Sequence, residues 1–295
     1  MKESRINAWA IDWKKILKIK HFLHRLQNKV LWIFNHKLPE FLTEYLSLLQ
    51  FLWLVHIGSK PLTVSQKSAM IIAPHQDDEV LGCGGLIGLK REQNIPVQIV
   101  FITDGAASHS WHSDFKSGEI VPIRRQEALT SLSILGVDSS HIHFLDKPDS
   151  KLQYLDLNTR QQIIEELAQL LLSFQPGEVY VPHRQDRTKD HEATYELVKT
   201  AIRLAGIKVE QIQYPIWILY KSLLFRDLKL HELAGAYCLS IHSIQSKKTK
   251  AIKVYRSQYE AIDVGLSPVL KPAFLRRFSL PYEVFFKTDS VMPND

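Results

Sequence analysis

Residues 69–85 read A-M-I-I-A-P-H-Q-D-D-E-V-L-G-C-G-G, from Ala69 to Gly85. The five residues Ala69–Ala73 are apolar without alternation, which predicts a strand buried on both faces. Pro74 and the polar run from His75 to Glu79 turn the chain, and a helix is expected over 80–93. Outward from this unit the pattern repeats. Strands are expected at 97–103, 142–145, 179–181, 214–220 and 237–241, and helices at 122–135, 158–174 and 191–204. Such alternation implies an α/β fold, a Rossmann-like three-layer sandwich with a mostly parallel sheet, whose chemistry lies beyond the carboxyl ends of the strands.

Charge and composition bound what else the chain does. Its 295 residues carry 37 Lys+Arg against 31 Asp+Glu, a net charge of +6. Residues 1–37 hold nine basic and two acidic side chains, so the other 258 residues are close to neutral. A basic balance confined to one terminus argues against a nucleic-acid-binding domain. Two cysteines, Cys83 and Cys238, cannot build a disulfide framework, which favours a reducing, cytoplasmic setting.

Before residue 60 the pattern differs. Trp9, Trp13, Ile16, Ile19, Leu23, Leu26, Val30 and Ile33 recur in steps of three and four, with lysines beside them. We therefore expect an N-terminal helical extension over 1–60 and a main domain over 61–295. A basic, Trp-bearing amphipathic helix suits the surface of an anionic membrane, while the same stripe also suits packing on the main domain or on a second subunit in an oligomer. Lysines and histidines recur too often for a secretory signal. The apolar stretch Leu46–Ile57, interrupted by Gln50 and His56, reads as too short to span a bilayer.

His75, Asp77, Asp78 and Glu79 crowd the end of the first strand. Like charges this close repel, and burying them unpaired costs several kcal/mol, about the scale of a whole buried ion pair. A divalent cation resolves the conflict by ligating His75 and one carboxylate; the alternative is a solvated acidic helix start. A second loop, His183 to His191, follows the strand at 179–181. A parallel sheet brings the two loops together, so that His191 completes a set with His75 and Asp78. Three protein ligands and an open position are the pattern of catalytic zinc.

These residues resemble the PIG-L/LmbE-like zinc deacetylases, which remove acetyl groups from N-acetylglucosamine-type sugars. H-Q-D-D-E with L-G-C-G-G behind it is similar to the family's H-P-D-D-E signature. The likeness continues through Thr103-Asp104-Gly105, Arg124-Arg125-Gln126-Glu127, Pro148-Asp149, Asp186 to His191 and Tyr255-Arg256-Ser257-Gln258. The resemblance implies zinc held by His75, Asp78 and His191, with Asp77 as general base. It implies Arg124 as a substrate contact, and Glu79, Asp190 and Asp104 as supporting residues, Asp190 by orienting a histidine or ligand. The substrate it implies is an N-acetylated amino sugar.

Two positions depart from the family pattern. Gln76 replaces the usual proline, and Thr188 stands where many members have a histidine that assists the tetrahedral intermediate or the leaving amine. His183, His109 and His112 are the candidates to fill that role. Gly82, Gly84 and Gly85 lack dinucleotide-loop spacing, and Cys83 among them reads as packing. Lys247, Lys248, Lys250 and Lys253 read as a solvated helix face or a phosphate contact. An amide hydrolase for non-sugar or thiol-conjugate substrates and an inactive binding scaffold are the alternative functions.

Overall fold

The structure is a computed structural model that describes residues 39–287, except 117, 224–232, 234 and 264–265, together with Arg25. The amphipathic stripe of residues 9–33 lies outside the described residues. Packing divides the chain between Thr43 and Glu44, into Met1–Thr43 and Glu44–Asp295.

The centre of the larger unit is an eight-stranded sheet. Its spatial order is β1 (Lys60–Leu62), β7 (Ala236–Ser240), β8 (Tyr282–Lys287), β6 (Glu210–Tyr214), β5 (Glu178–Pro182), β2 (Ala69–Ala73), β3 (Val97–Thr103) and β4 (Ile142–Lys147). Five neighbouring pairs are parallel, and β8 runs antiparallel to both its neighbours. The predicted mostly parallel sheet is therefore present.

The alternation of side chains along β2 makes the layers. Ala69, Ile71 and Ala73 face one core with Val80, Leu81, Leu86 and Ile87 of α2 (Asp78–Glu92) and Ala128 and Leu132 of α3 (Ile120–Ile134). Met70 and Ile72 face the other, with Ile163 and Leu167 of α4 (Leu157–Phe174) and Leu197 and Val198 of α5 (Lys189–Ala205). Helix α4 starts where Asp156 accepts bonds from Asn158 N and Thr159 N, and stops at Gln175 in a left-handed conformation just before Pro176.

Three expectations change. The strand expected at 214–220 is instead β6, ending at Tyr214, followed by a helical turn at Ile218–Lys221. Pro215 has no N–H to continue the ladder, and the glutamines of Glu210–Tyr214 disguise a buried strand; Gln213 accepts a bond from Arg184 N. Secondly, the sheet has an edge strand, β1, just after Gly58, where no strand was expected. Thirdly, α1 (Glu40–Trp53) runs on as a π-turn over Leu54–Gly58, so the helix from Phe41 to Gly58 is long and apolar enough, by length and composition, to cross a membrane. Phe51, Leu54 and Val55 nevertheless pack with Ile218, Leu219, Val284 and Phe286, which places them in the protein core.

Helix α2 crosses the sheet unusually closely, and its glycines explain why. A Cβ on Gly82 would lie 2.4 Å from the Tyr214 ring, and one on Gly85 2.5 Å from Ile241. Beside them, Lys248 of α6 (Gln245–Ile252) is buried and donates to Leu81 O and to Glu283 of β8, which also accepts from Gly85 N and Leu86 N. Lys248 thus belongs to neither a solvated face nor a phosphate contact. Cys83 is fully buried in the same core. Replacing Gly82 by Ala is expected to destabilise the protein by about 1–3 kcal/mol through overpacking against Tyr214, measured as a lowered midpoint in urea unfolding.

Candidate functional site

The carboxyl ends of β2, β3, β4 and β5 deliver acidic loops to one crevice, a cleft of about 350 Å³. His75 follows β2 and His191 lies in the first turn of α5; their rings stand 5.4 Å apart. Asp78 joins them. Its Oδ2 is 3.1 Å from His75 Nδ1 and 3.2 Å from His191 Nε2. The three donor atoms lie within 4.8 Å of one another.

The far side of each imidazole is held by a carboxylate. His191 Nδ1 is 2.7 Å from Asp186 Oδ2, so the N–H sits on Nδ1 and the lone pair of the neutral ring is on Nε2. His191 Nε2 is buried, and Asp78 Oδ2 is the polar atom that approaches it. A tetrahedral ion with ligands at about 2.0–2.1 Å spaces its donors by roughly 3.3 Å, close to the separations found. A divalent cation therefore fits this set. His75 Nε2 faces Asp149 at 3.1 Å and Asp190 at 3.4 Å. That second trio also has ligand-type atoms, and its carboxylates take backbone amides, as Asp78 takes His75 N. Asp190 accepts from Ser150 N and Leu152 N, and Asp149 from Ala107 N.

Asp77, between His75 and Asp78 in the sequence, has φ 134°, a strained conformation for a residue with a side chain. Its N–H donates to Glu79, and its carboxylate is 3.4 Å from Arg124. Burial pushes the Asp77 carboxyl up to about 7, against the pull of Arg124. Burial pushes Glu79 up to about 8, and the Tyr255 hydroxyl donates to it. Burial opposes the charge of Asp78 as well, but His191 and His75 hold it ionised below the ordinary carboxylate range. Burial opposes protonation of His191, yet Asp78 and Asp186 raise it to about 9, and three carboxylates likewise raise His75.

Most of the site residues read from the sequence meet at this crevice. His75, Asp77, Asp78, Arg124, Asp190 and His191 line the cleft. Arg124 is buried and donates to Gln76 O and Gly105 O, so it braces the Asp77 loop as well as lining the cleft. Asp104 stands behind the wall, accepting from Ala106 N and Asp149 N. Gln76, in the place of a proline, donates to Thr103 O. None of the three further histidines lines the cleft. His183 packs edge-on against Phe286, His112 pairs with Asp263, and His109 lies among Ser108, Trp111 and Phe115.

Asp186, Asp149, Tyr255 and Trp217 carried no role in the sequence reading. Asp186 is the most connected: its Oδ1 accepts from the N–H groups of Ile216, Trp217 and Ile218, each at 3.0 Å. Trp217 forms part of the cleft wall and stacks on Phe274. A carboxylate five residues before a ligand histidine, in the same loop, is the signal that points to Asp186.

Residues 70–202 match the family model described as PIG-L, GlcNAc-PI de-N-acetylase. The chain is 26% identical over 212 residues to the probable N-acetyl-alpha-D-glucosaminyl L-malate deacetylase 2 of Bacillus subtilis (strain 168), covering 70% of this chain and 90% of that protein. It is 25% identical over 205 residues to the diacetylchitobiose deacetylase of Thermococcus kodakarensis, covering 65% and 70%. A conserved protein of Thermus thermophilus shares the fold, with a TM-score of 0.54 at 22% identity, covering 76% of this chain and 96% of that one.

Two outcomes are expected. Asp186→Asn places an amide donor toward His191 Nδ1, moving the ring proton to Nε2; metal affinity should fall about 10- to 100-fold, read by competition with a chelating dye. Because the surrounding carboxylates raise the proton affinity of His75 and His191, metal loading should release protons and apparent affinity should rise with pH. Calorimetry in buffers of different ionisation enthalpy measures that release.

Proposed function

We propose that this chain, which carries a PIG-L family domain across residues 70–202, is a zinc-dependent hydrolase that removes an acetyl group from an N-acetylated amino sugar. One observation carries the reading: the buried Nε2 of His191 converges with His75 and Asp78 beside the buried carboxylate of Asp77. The relatives named for glucosaminyl malate and diacetylchitobiose deacetylation support the substrate class.

His75, Asp78 and His191 would hold the metal, which when bound supplies an acidified water and polarises the acetamide carbonyl. Asp77 accepts the first proton of the attacking water. Its high affinity for a proton in this buried setting suits it to pass that proton to the departing nitrogen. Arg124 and the Glu79–Tyr255 pair hold the Asp77 loop in its strained conformation. Asp149 and Asp190 fix the ring of His75, and Asp186 fixes that of His191. Trp217, Val269 and Leu270 give the cleft an apolar wall against which a sugar face can rest.

An inactive scaffold would have no use for a proton acceptor held strained between the ligands, which disfavours that alternative. The enzyme is read as cytoplasmic. Contact with an anionic membrane through the basic segment 1–37 is supported by exposed apolar side chains on the next segment of the sequence, Tyr45 and Leu49 on α1 and Ile57 on the π-turn after it.

Acetate release from N-acetylglucosamine conjugates should disappear with a chelator and return with zinc; release that is indifferent to the chelator would defeat the proposal. Asp77→Asn should retain stoichiometric metal and lose at least about 100-fold in kcat. The full chain should sediment with anionic vesicles at low salt and be released as salt screens the lysines. A neutral phosphatidylcholine vesicle is the control.

A further inference from the structure

Helix α1 and the π-turn that continues it are inverted in polarity. Ser47 and Gln50 are turned inward, where Ser47 Oγ accepts from Arg277 and Gln50 Nε2 donates to Ser222 O at 3.3 Å. Phe51, Leu54 and Val55 share that inner face, against Ile218, Leu219 and Val284. The outer face is apolar. Tyr45, Leu49 and Ile57 are 58%, 43% and 73% exposed, and Leu48, Leu52 and Trp53 are half-buried. Tyr45, Leu49, Trp53 and Ile57 follow in steps of four, the spacing of neighbours along one side of a helix. No Lys, Arg, Asp or Glu stands between Glu44 and Lys60. A surface helix in water carries charge on its outer side, whereas a core helix is mostly buried; here 28% of the residues from Phe41 to Gly58 are buried.

We infer that this outer face is a docking surface for an anionic lipid bilayer, with Tyr45, Leu49, Trp53 and Ile57 seated where headgroups meet acyl chains. α1 itself then enters the lipid, which deepens and rests on the membrane contact proposed above. Charge selects the occupant. Residues 1–37, with nine basic and two acidic side chains, precede α1 in the sequence, and Lys60 follows the π-turn. Basic flanks around an apolar face match anionic headgroups, and Tyr and Trp rings favour the boundary layer. The helix lies in the plane of the bilayer and does not cross it, because its inner face is fixed to the protein by Ser47, Gln50, Phe51 and Leu54. The same helix reaches the catalytic wall. Glu44 accepts from the Tyr220 hydroxyl at 2.6 Å, three residues beyond Trp217 of the cleft. Seating α1 in lipid therefore holds the cleft wall at a set distance from the bilayer.

The test uses the full chain with vesicles of phosphatidylglycerol and phosphatidylcholine at low salt. In a Cys238→Ser background, where the other cysteine, Cys83, is buried, a nitroxide is attached at Leu49→Cys or, as a control on α5, at Leu204→Cys. On bound protein the label at 49 should become accessible to oxygen and shielded from a water-soluble nickel complex, while the label at 204 stays open to nickel. Combining Tyr45→Ser, Leu49→Ser and Ile57→Ser should lower vesicle affinity about 100-fold, the loss of three seated apolar side chains. The thermal midpoint of that variant without vesicles should not fall, because the replaced side chains face outward. A label at 49 that stays open to nickel on bound protein, or a triple variant that binds like wild type, overturns the docking surface and leaves the attraction of residues 1–37 standing. A label at 49 already shielded without vesicles also overturns it: shielding that grows with protein concentration assigns the face to a second copy, and shielding that does not assigns it to residues 1–38. A wild type that does not bind anionic vesicles removes both membrane readings.

Discussion

Buried negative charge at the strand ends is the constraint around which this protein is arranged. Asp77, Asp78, Asp149, Asp186 and Asp190 are all shielded from water within one crevice, and none is tolerable there without compensation. Most of that compensation is backbone. Asp186 gathers three successive amides after β6, Asp190 gathers Ser150 N and Leu152 N, and Asp149 takes Ala107 N. Each carboxylate thereby fixes a loop from a different strand, so the groups that set the electrostatics also set the shape of the cleft. The imidazoles of His75 and His191 are caught between opposing carboxylates, and their outward nitrogens are oriented before any ligand arrives.

The sequence is legible where one physical signal dominates. Ala69–Ala73 and Val97–Thr103 fall on the expected residues because strands in a parallel sheet are apolar on both faces. His75, Asp78 and His191 could be grouped from the rule that strand-end loops converge. Legibility fails where two signals compete. Tyr214–Tyr220 is apolar enough for a strand, yet Pro215 ends the ladder, while the true strand is rich in glutamine. β8 joins the sheet from the far end of the chain and antiparallel to its neighbours, so no local alternation announces it. Asp186 and Tyr255 escaped for a related reason: their roles exist only through partners distant in sequence.

The departures from the familiar pattern divide into two kinds. Gln76 recovers by hydrogen bonding what a proline would provide by stiffness, donating to Thr103 O while its own carbonyl receives Arg124. Thr188 is different, because no other histidine approaches the cleft among the described residues to replace an imidazole there. The net charge divides as well. Residues 1–37 carry +7 and the remaining residues −1, while four aspartates line the cleft with Arg124, Lys189 and two histidines.

The hold of Glu283 on Gly85 N and Leu86 N spans 198 and 197 residues of sequence. Helix α2, which begins at Asp78, thus receives a buried acceptor and, through Lys248, a buried counter-charge from segments far later in the sequence. During synthesis, the loop from His75 to Glu79 is made well before Lys248 and Glu283. A nascent chain that has not yet added β8 lacks the acceptor for Gly85 N and Leu86 N, so the first turns of α2 gain their buried partner only once β8 is made.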